Sequence, residues 1–149
     1  MNLTTFLTLL VSSFLPNSSI KTAHDPQPAL GCASYVDAKL NLTVYTGVDK
    51  EPEFPGGSSA LGQYINSNLI EGNLDPAVDC NVKLKMIVDA AGKIQKAVPM
   101  HGDIEVKEPN ANEKEVMRVY LKSGVWVPGK CGGNAVAAEF VQSFTPCIK

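Results

Sequence analysis

The chain is almost without arginine. Arg118 stands alone against twelve lysines, so the planar, bidentate clusters that read phosphate or nucleic acid cannot be built. Formal net charge is −2, which gives no electrostatic pull toward nucleic acid or an anionic membrane surface. Histidine is scarce as well. His24 and His101 lie near none of the four cysteines, and no CxxC pair occurs, so the paired spacing that signals a zinc site is missing. The Ser nucleophile elbow, HExxH and the P-loop lysine are all missing, which removes the commonest hydrolase, metalloprotease and nucleotide-binding signatures. No apolar run reaches the ~20 residues of a membrane-spanning helix.

The longest apolar run is LTTFLTLLVSSFL at 3–15, thirteen residues ending at Pro16. It fits a signal peptide or short anchor over 1–23, and thus a periplasmic or secreted protein, held at a membrane if the segment is retained. Residues 24–38 read as an extended arm, and 39–149 as the folded domain. In an exported chain, an even count of cysteines (Cys32, Cys80, Cys131 and Cys147) implies two disulfides, with three connectivities open to sequence alone.

Within 39–149 the pattern gives strand, helix, strand, strand, helix, strand. KLNLTVYTGV (39–48) alternates at Leu40, Leu42 and Val44. Leu61, Tyr64, Ile65 and Leu69 share one face of a helix over 58–70. NVKLKMIVD (81–89) and KIQKAVPM (93–100), joined through Gly92, read as an antiparallel hairpin. A second helix over 113–123 presents Val116, Met117, Tyr120 and Leu121, with Gly124 placed to end it. VWVPGKCGGNA is a turn-rich connector, and AVAAEFVQSF (135–144) is the last strand.

Four stretches in this order carry a family resemblance. PEFPGG at 52–57, the strand–Gly–strand VKLKMIVDAAGKIQKAVPM, EKEVMRVY with Glu115 and Arg118, and VWVPGKCGGNAV together resemble the C-terminal domain of TonB, across about 44–146. The long spacer of full TonB proteins is not evident, and cysteines are foreign to the family pattern. The resemblance implies an α+β fold: a three-stranded antiparallel sheet of order 2-1-3, two helices packed on one face, and a short N-terminal strand in addition. The final strand is then an edge, able to template an extended peptide. That role falls on Val136, Ala137, Ala138, Glu139, Phe140, Val141 and Gln142, with Ala137, Glu139 and Val141 facing outward and Glu139 offered to a basic partner.

Phe54, Pro55, Gly56, Gly57, Trp126, Pro128 and Gly129 become structural motif residues. Arg118 is expected to stack on Trp126 or pair with Glu53. Antiparallel neighbours in that sheet would bring Cys80 to Cys147, leaving Cys32 for Cys131. Cys131 beside Lys130 has no histidine with which a Cys-His pair can be argued, and the acidic group Asp103, Glu105 and Glu108 reads as solvation of a polar loop. The expectation is therefore a non-enzymatic binding domain without cofactor or metal. Its partner would be a TonB-box-like peptide of an outer-membrane transporter, in energy-transducing transport, or another periplasmic protein, with neither nucleic acid nor small-molecule substrate and at most a weak homodimer. The alternative is a secreted, disulfide-stapled structural or interaction module with no transport role.

Overall fold

Alternation decides the centre of the molecule. In β3 (Val82–Val88), Val82, Leu84, Met86 and Val88 all turn to one face and are buried. In β4 (Ile94–His101), Ile94 and Ala97 join them, and the two strands pair antiparallel. Two helices cover this face. In α1 (Gly57–Asn68), Leu61 and Ile65 point inward. In α2 (Ala111–Leu121), Val116, Val119 and Tyr120 do so, while Leu121 lies half-exposed on the outer side. Trp126 and Phe140 complete this core.

The helix starts differ in kind. α2 opens with a capping box: the Asn110 side chain accepts the Glu113 N–H at 2.9 Å, and Glu113 accepts the Asn110 N–H at 2.8 Å, satisfying donors the helix leaves open. α1 has no side-chain cap. Gly56 enters it at φ 87°, and the Gly57 N–H donates to the Phe54 carbonyl. Extended backbone before each proline sets Phe54 against Tyr64 and edge-on to Trp126, with ring centroids 5.4 and 5.7 Å away.

The described residues are 31–145 of the computed structural model. Besides the elements above they form β1 (Ala33–Asp37), β2 (Leu42–Thr46), a 3-10 turn (Glu71–Asn73), β5 (Ile104–Glu105), β6 (Gly129–Cys131), β7 (Asn134–Val136) and β8 (Ala138–Phe144). The leader at 1–23 and Cys147 lie outside them. Among the described residues no helix is long and apolar enough to cross a membrane.

The three-stranded sheet of order 2-1-3 is not what forms. The sheet has six strands in the order β1-β2-β8-β3-β4-β5 and is mixed, because β2 runs parallel to β8 while the other neighbours are antiparallel. β6 and β7 make a separate two-stranded sheet around Gly132 and Gly133, both at positive φ as a two-residue hairpin loop demands. The expected last strand is accordingly broken, with Ala137 between β7 and β8. The final strand is no edge either: β8 has β3 on one side and β2 on the other, where Tyr45 stands opposite Ala138 and its N–H reaches the Ala137 carbonyl at 2.8 Å. The expected arm over 24–38 contains a strand, and that strand is the one at the edge.

Cys32 and Cys131 are joined, tying the start of β1 to the β6–β7 hairpin. A closed loop of 99 residues is worth roughly 4–5 kcal/mol in the chain-entropy account. Cys80 is disulfide-bonded too.

Glu115 and Tyr120 carry polar groups into the interior. Glu115, only 3 % exposed, accepts from the Ile70 N–H and the Asn73 amide, each at 2.8 Å, and from Arg118 Nε at 2.9 Å. Arg118 also donates to the Asn68 carbonyl. This cluster fixes the exit of α1 and the 3-10 turn to α2. Arg118 is thus engaged by Glu115 and not by Glu53 or Trp126, since Glu53 pairs with Lys50.

The Arg118 hydrogen bond holds the Glu115 carboxyl at about 2, below its ordinary 4.5. The stabilisation is therefore present above pH 4.5 and lost as pH falls toward 2. Glu115→Gln should cost about 1–3 kcal/mol at neutral pH and flatten the acid limb of a urea-unfolding series; an unchanged limb contradicts the assignment. Tyr120 carries a buried hydroxyl without a partner among the described residues. Tyr120→Phe should raise stability by about 1 kcal/mol in the same assay, and a loss would show that the hydroxyl is satisfied.

Candidate partner-binding face

The sheet face away from the helices gathers the unusual side chains. By alternation from the buried positions, Tyr35, Asp37, Val44, Lys85, Ile87, Lys96, Glu105, Glu139 and Val141 share it. Val44 and Ile87 are buried there although they belong to no part of the helix-covered core. One ion pair shows how. Lys96 Nζ lies 3.6 Å from Asp37 Oδ2, yet four ladder steps separate β4 from β1, about 19 Å in a flat sheet. The sheet therefore curls toward this face into a half-barrel, and its two sides meet at that pair.

The charges interlock around the opening. Lys85 pairs closely with Glu105 and sits 3.9 Å from Glu139. The Tyr35 hydroxyl donates to Glu139 Oε2 at 2.6 Å, across β2. Three carboxylates (Asp37, Glu105, Glu139) face two ammonium groups (Lys85, Lys96), a surplus of one negative charge. The Lys85 hydrogen bond holds the Glu105 carboxyl below its usual range, while Glu105 in turn raises Lys85. Burial, then the Glu139 contact, pushes Tyr35 up. The Asp37 carboxyl is lowered, first by the Leu40 N–H it accepts and further by Lys96. Each of these charged groups has an ionic or hydrogen-bonding partner on this face.

The positions singled out from sequence fall into two groups. Val136, Ala137, Ala138 and Phe140 are buried, Phe140 against Trp126 at 5.8 Å. Glu139 faces the half-barrel and is engaged there by Tyr35 and Lys85; Val141 is 47 % exposed and Gln142 half-buried. The motif residues assemble behind the sheet. Glu53 and Val127 exchange both backbone hydrogen bonds, as do Lys50 and Lys130, so PEFPGG is zipped to Val127-Pro128-Gly129-Lys130. A Cβ on Gly129 would come within 2.6 Å of the Ala138 Cβ. Trp126 donates from its ring to Ser123 and from its backbone to Gly92, where a Cβ would strike the Trp126 carbonyl. Cys32 meets Cys131.

Sequence reasoning missed Tyr35, Asp37, Lys85 and Lys96 and passed over Glu105 as solvated. The two-residue spacing of Tyr35 and Asp37 on either side of Val36 was the signal available. Comparison of the chain with protein-family models, curated proteins and solved structures finds no match.

A double-mutant cycle tests the closure. Asp37→Asn and Lys96→Met, singly and together, should show a coupling of about 0.2–1 kcal/mol in denaturant unfolding, the range for partly exposed pairs. Nuclear Overhauser contacts between the Asp37 and Lys96 side chains should accompany it, and their absence would mean that β1 and β4 do not meet in solution.

Proposed function

We propose that this chain is a non-enzymatic protein-binding module that takes an extended peptide by strand addition, and that the receiving edge is β1. The observation that carries the reading is the state of that strand. Among the described residues β1 ends the sheet, its first four residues are all exposed, and Val36 (66 %) and Tyr35 (39 %) present apolar surface there. An edge strand offers a row of backbone donors and acceptors with no partner in the sheet, and a peptide laid along it gains main-chain hydrogen bonds. The opposite side is a poorer template, because β5 covers part of β4. β8, the edge expected from sequence, already has β2 beside its start.

A TonB-box-like peptide of an outer-membrane transporter is the partner suggested by PEFPGG and the Trp-x-Pro-Gly segment. That identity rests on the resemblance, whereas strand addition rests on the edge. A stapled module without a transport role uses the same edge for another extended segment.

The test is a titration of the labelled chain, followed by amide NMR, with N-terminal peptides of outer-membrane transporters and a scrambled control. The expected result is shifts centred on Ala33–Asp37, lost in Val36→Pro, which removes an edge donor, and weakened in Val36→Lys, which leaves the backbone able to pair. Shifts confined to Val141–Phe144 would move the site to β8. Absence of binding at millimolar peptide would remove the transporter as partner.

A further inference from the structure

The Cys32–Cys131 disulfide closes over a third donor. Cys32 Sγ, Cys131 Sγ and a carboxylate oxygen of Asp49 lie within 4.8 Å of one another. Asp49 is not there by chance of a mobile loop. Its Oδ2 accepts the Gly132 N–H at 2.7 Å, and the next residue, Lys50, exchanges both backbone hydrogen bonds with Lys130 at 3.2 and 2.8 Å. Asp49 and Cys131 therefore flank one bridged pair, Lys50 and Lys130. Cys131 is fixed again by the β6–β7 ladder, where it stands opposite Asn134. Cys32 comes from the other side, one residue before β1, whose five-residue register with β2 places it. None of these restraints depends on the sulfur–sulfur bond.

We propose that this group is a redox-gated metal site: a disulfide under oxidising conditions and, after reduction, a Cys–Asp–Cys site for a thiophilic divalent cation of the zinc type. A dithiol reductant supplies two electrons and two protons, becoming a cyclic disulfide, and Cys32 and Cys131 become thiols. Binding of Zn²⁺ then displaces both thiol protons and leaves two thiolates and one carboxylate on the ion. Two thiolates and one carboxylate suit zinc, which prefers sulfur and nitrogen donors in tetrahedral array. Sulfurs at ~2.3 Å from one ion stand about 3.8 Å apart, so reduction asks for a small parting of two side chains whose Cα atoms are 6.2 Å apart. Among the described residues no fourth Cys, His, Asp or Glu joins the group, and Asp49 on its exposed side leaves water access to the ion. The Gly132 N–H orients the carboxylate as outer-shell donors do in metal sites. The proposal is independent of strand addition at β1.

The experiment uses the full chain carrying Cys80→Ala and Cys147→Ala, so that the two thiols of the site are the only ones. Zn²⁺ is titrated by calorimetry into oxidised and reduced protein, with Co²⁺ absorption as the second readout and near-UV circular dichroism to follow tertiary packing. The expected result is one ion per reduced chain, thiolate-to-cobalt charge-transfer bands, no binding to the oxidised chain, and at least tenfold weaker binding in Asp49→Asn. Equal binding in both redox states, no binding to the reduced chain, or Asp49→Asn without effect would overturn the proposal. Loss of near-UV dichroism on reduction that Zn²⁺ does not restore would overturn it as well, since the site requires the folded frame.

Discussion

The architecture turns on the junction where β2 enters the sheet beside β8. The hydrogen bond from the Tyr45 N–H to the Ala137 carbonyl, with Tyr45 opposite Ala138, is the one parallel contact in an otherwise antiparallel sheet. It makes β8 an interior strand, hands the edge to β1, and starts the curl that brings Asp37 to Lys96. Parallel neighbours need a long connection, and here everything from α1 to the β6–β7 hairpin lies between the two strands. The junction is accordingly reinforced from behind: Lys50 and Glu53, following β2, are bridged to Lys130 and Val127, preceding β7, and the Cys32–Cys131 bond adds a covalent tie.

Apolar burial and interlocked charge are divided between the two faces of one sheet. The helix-covered face is mostly apolar, closed by Trp126 among Phe54, Tyr120 and Phe140. The opposite face pairs a small apolar floor, Val44 and Ile87, with interlocked charges at the rim. Ion pairs of this exposure contribute little to stability; the consequence of the Asp37–Lys96 pair is geometric, because it brings β1 to β4 while the outer side of β1 meets no other described strand.

Much of the core was legible in the residues. Leu61, Ile65, Val116 and Tyr120 recur at helical spacing, Val82 to Val88 alternate, and these are the side chains that meet in the centre. Leu121 is the exception: it shares the helical spacing of Val116 and Met117 yet lies half-exposed, with Val119 buried in its place. The sheet's extent was not legible. β1 buries almost nothing, so Ala33–Asp37 has no apolar period to betray it and reads as an arm. The β2–β8 pairing joins residues some 90 positions apart through backbone groups, which leaves no trace in side-chain pattern. The charged face escaped for a related reason: Asp37, Lys85, Lys96 and Glu105 each look like ordinary solvated residues until the curl places them together. PEFPGG lies against the segment around Val127, but the three-stranded sheet that the resemblance attached to it does not form.

The central claim is that β1 and β2 belong to the sheet and leave β1 as its open edge. Backbone amide exchange measured by NMR tests this most directly. The account requires slow exchange at Tyr45 and at alternate residues of Ala33–Asp37, those whose N–H faces β2, with fast exchange at the residues between them. Uniformly fast exchange from Ala33 to Thr46, with protection confined to β3, β4 and β8, would contradict it.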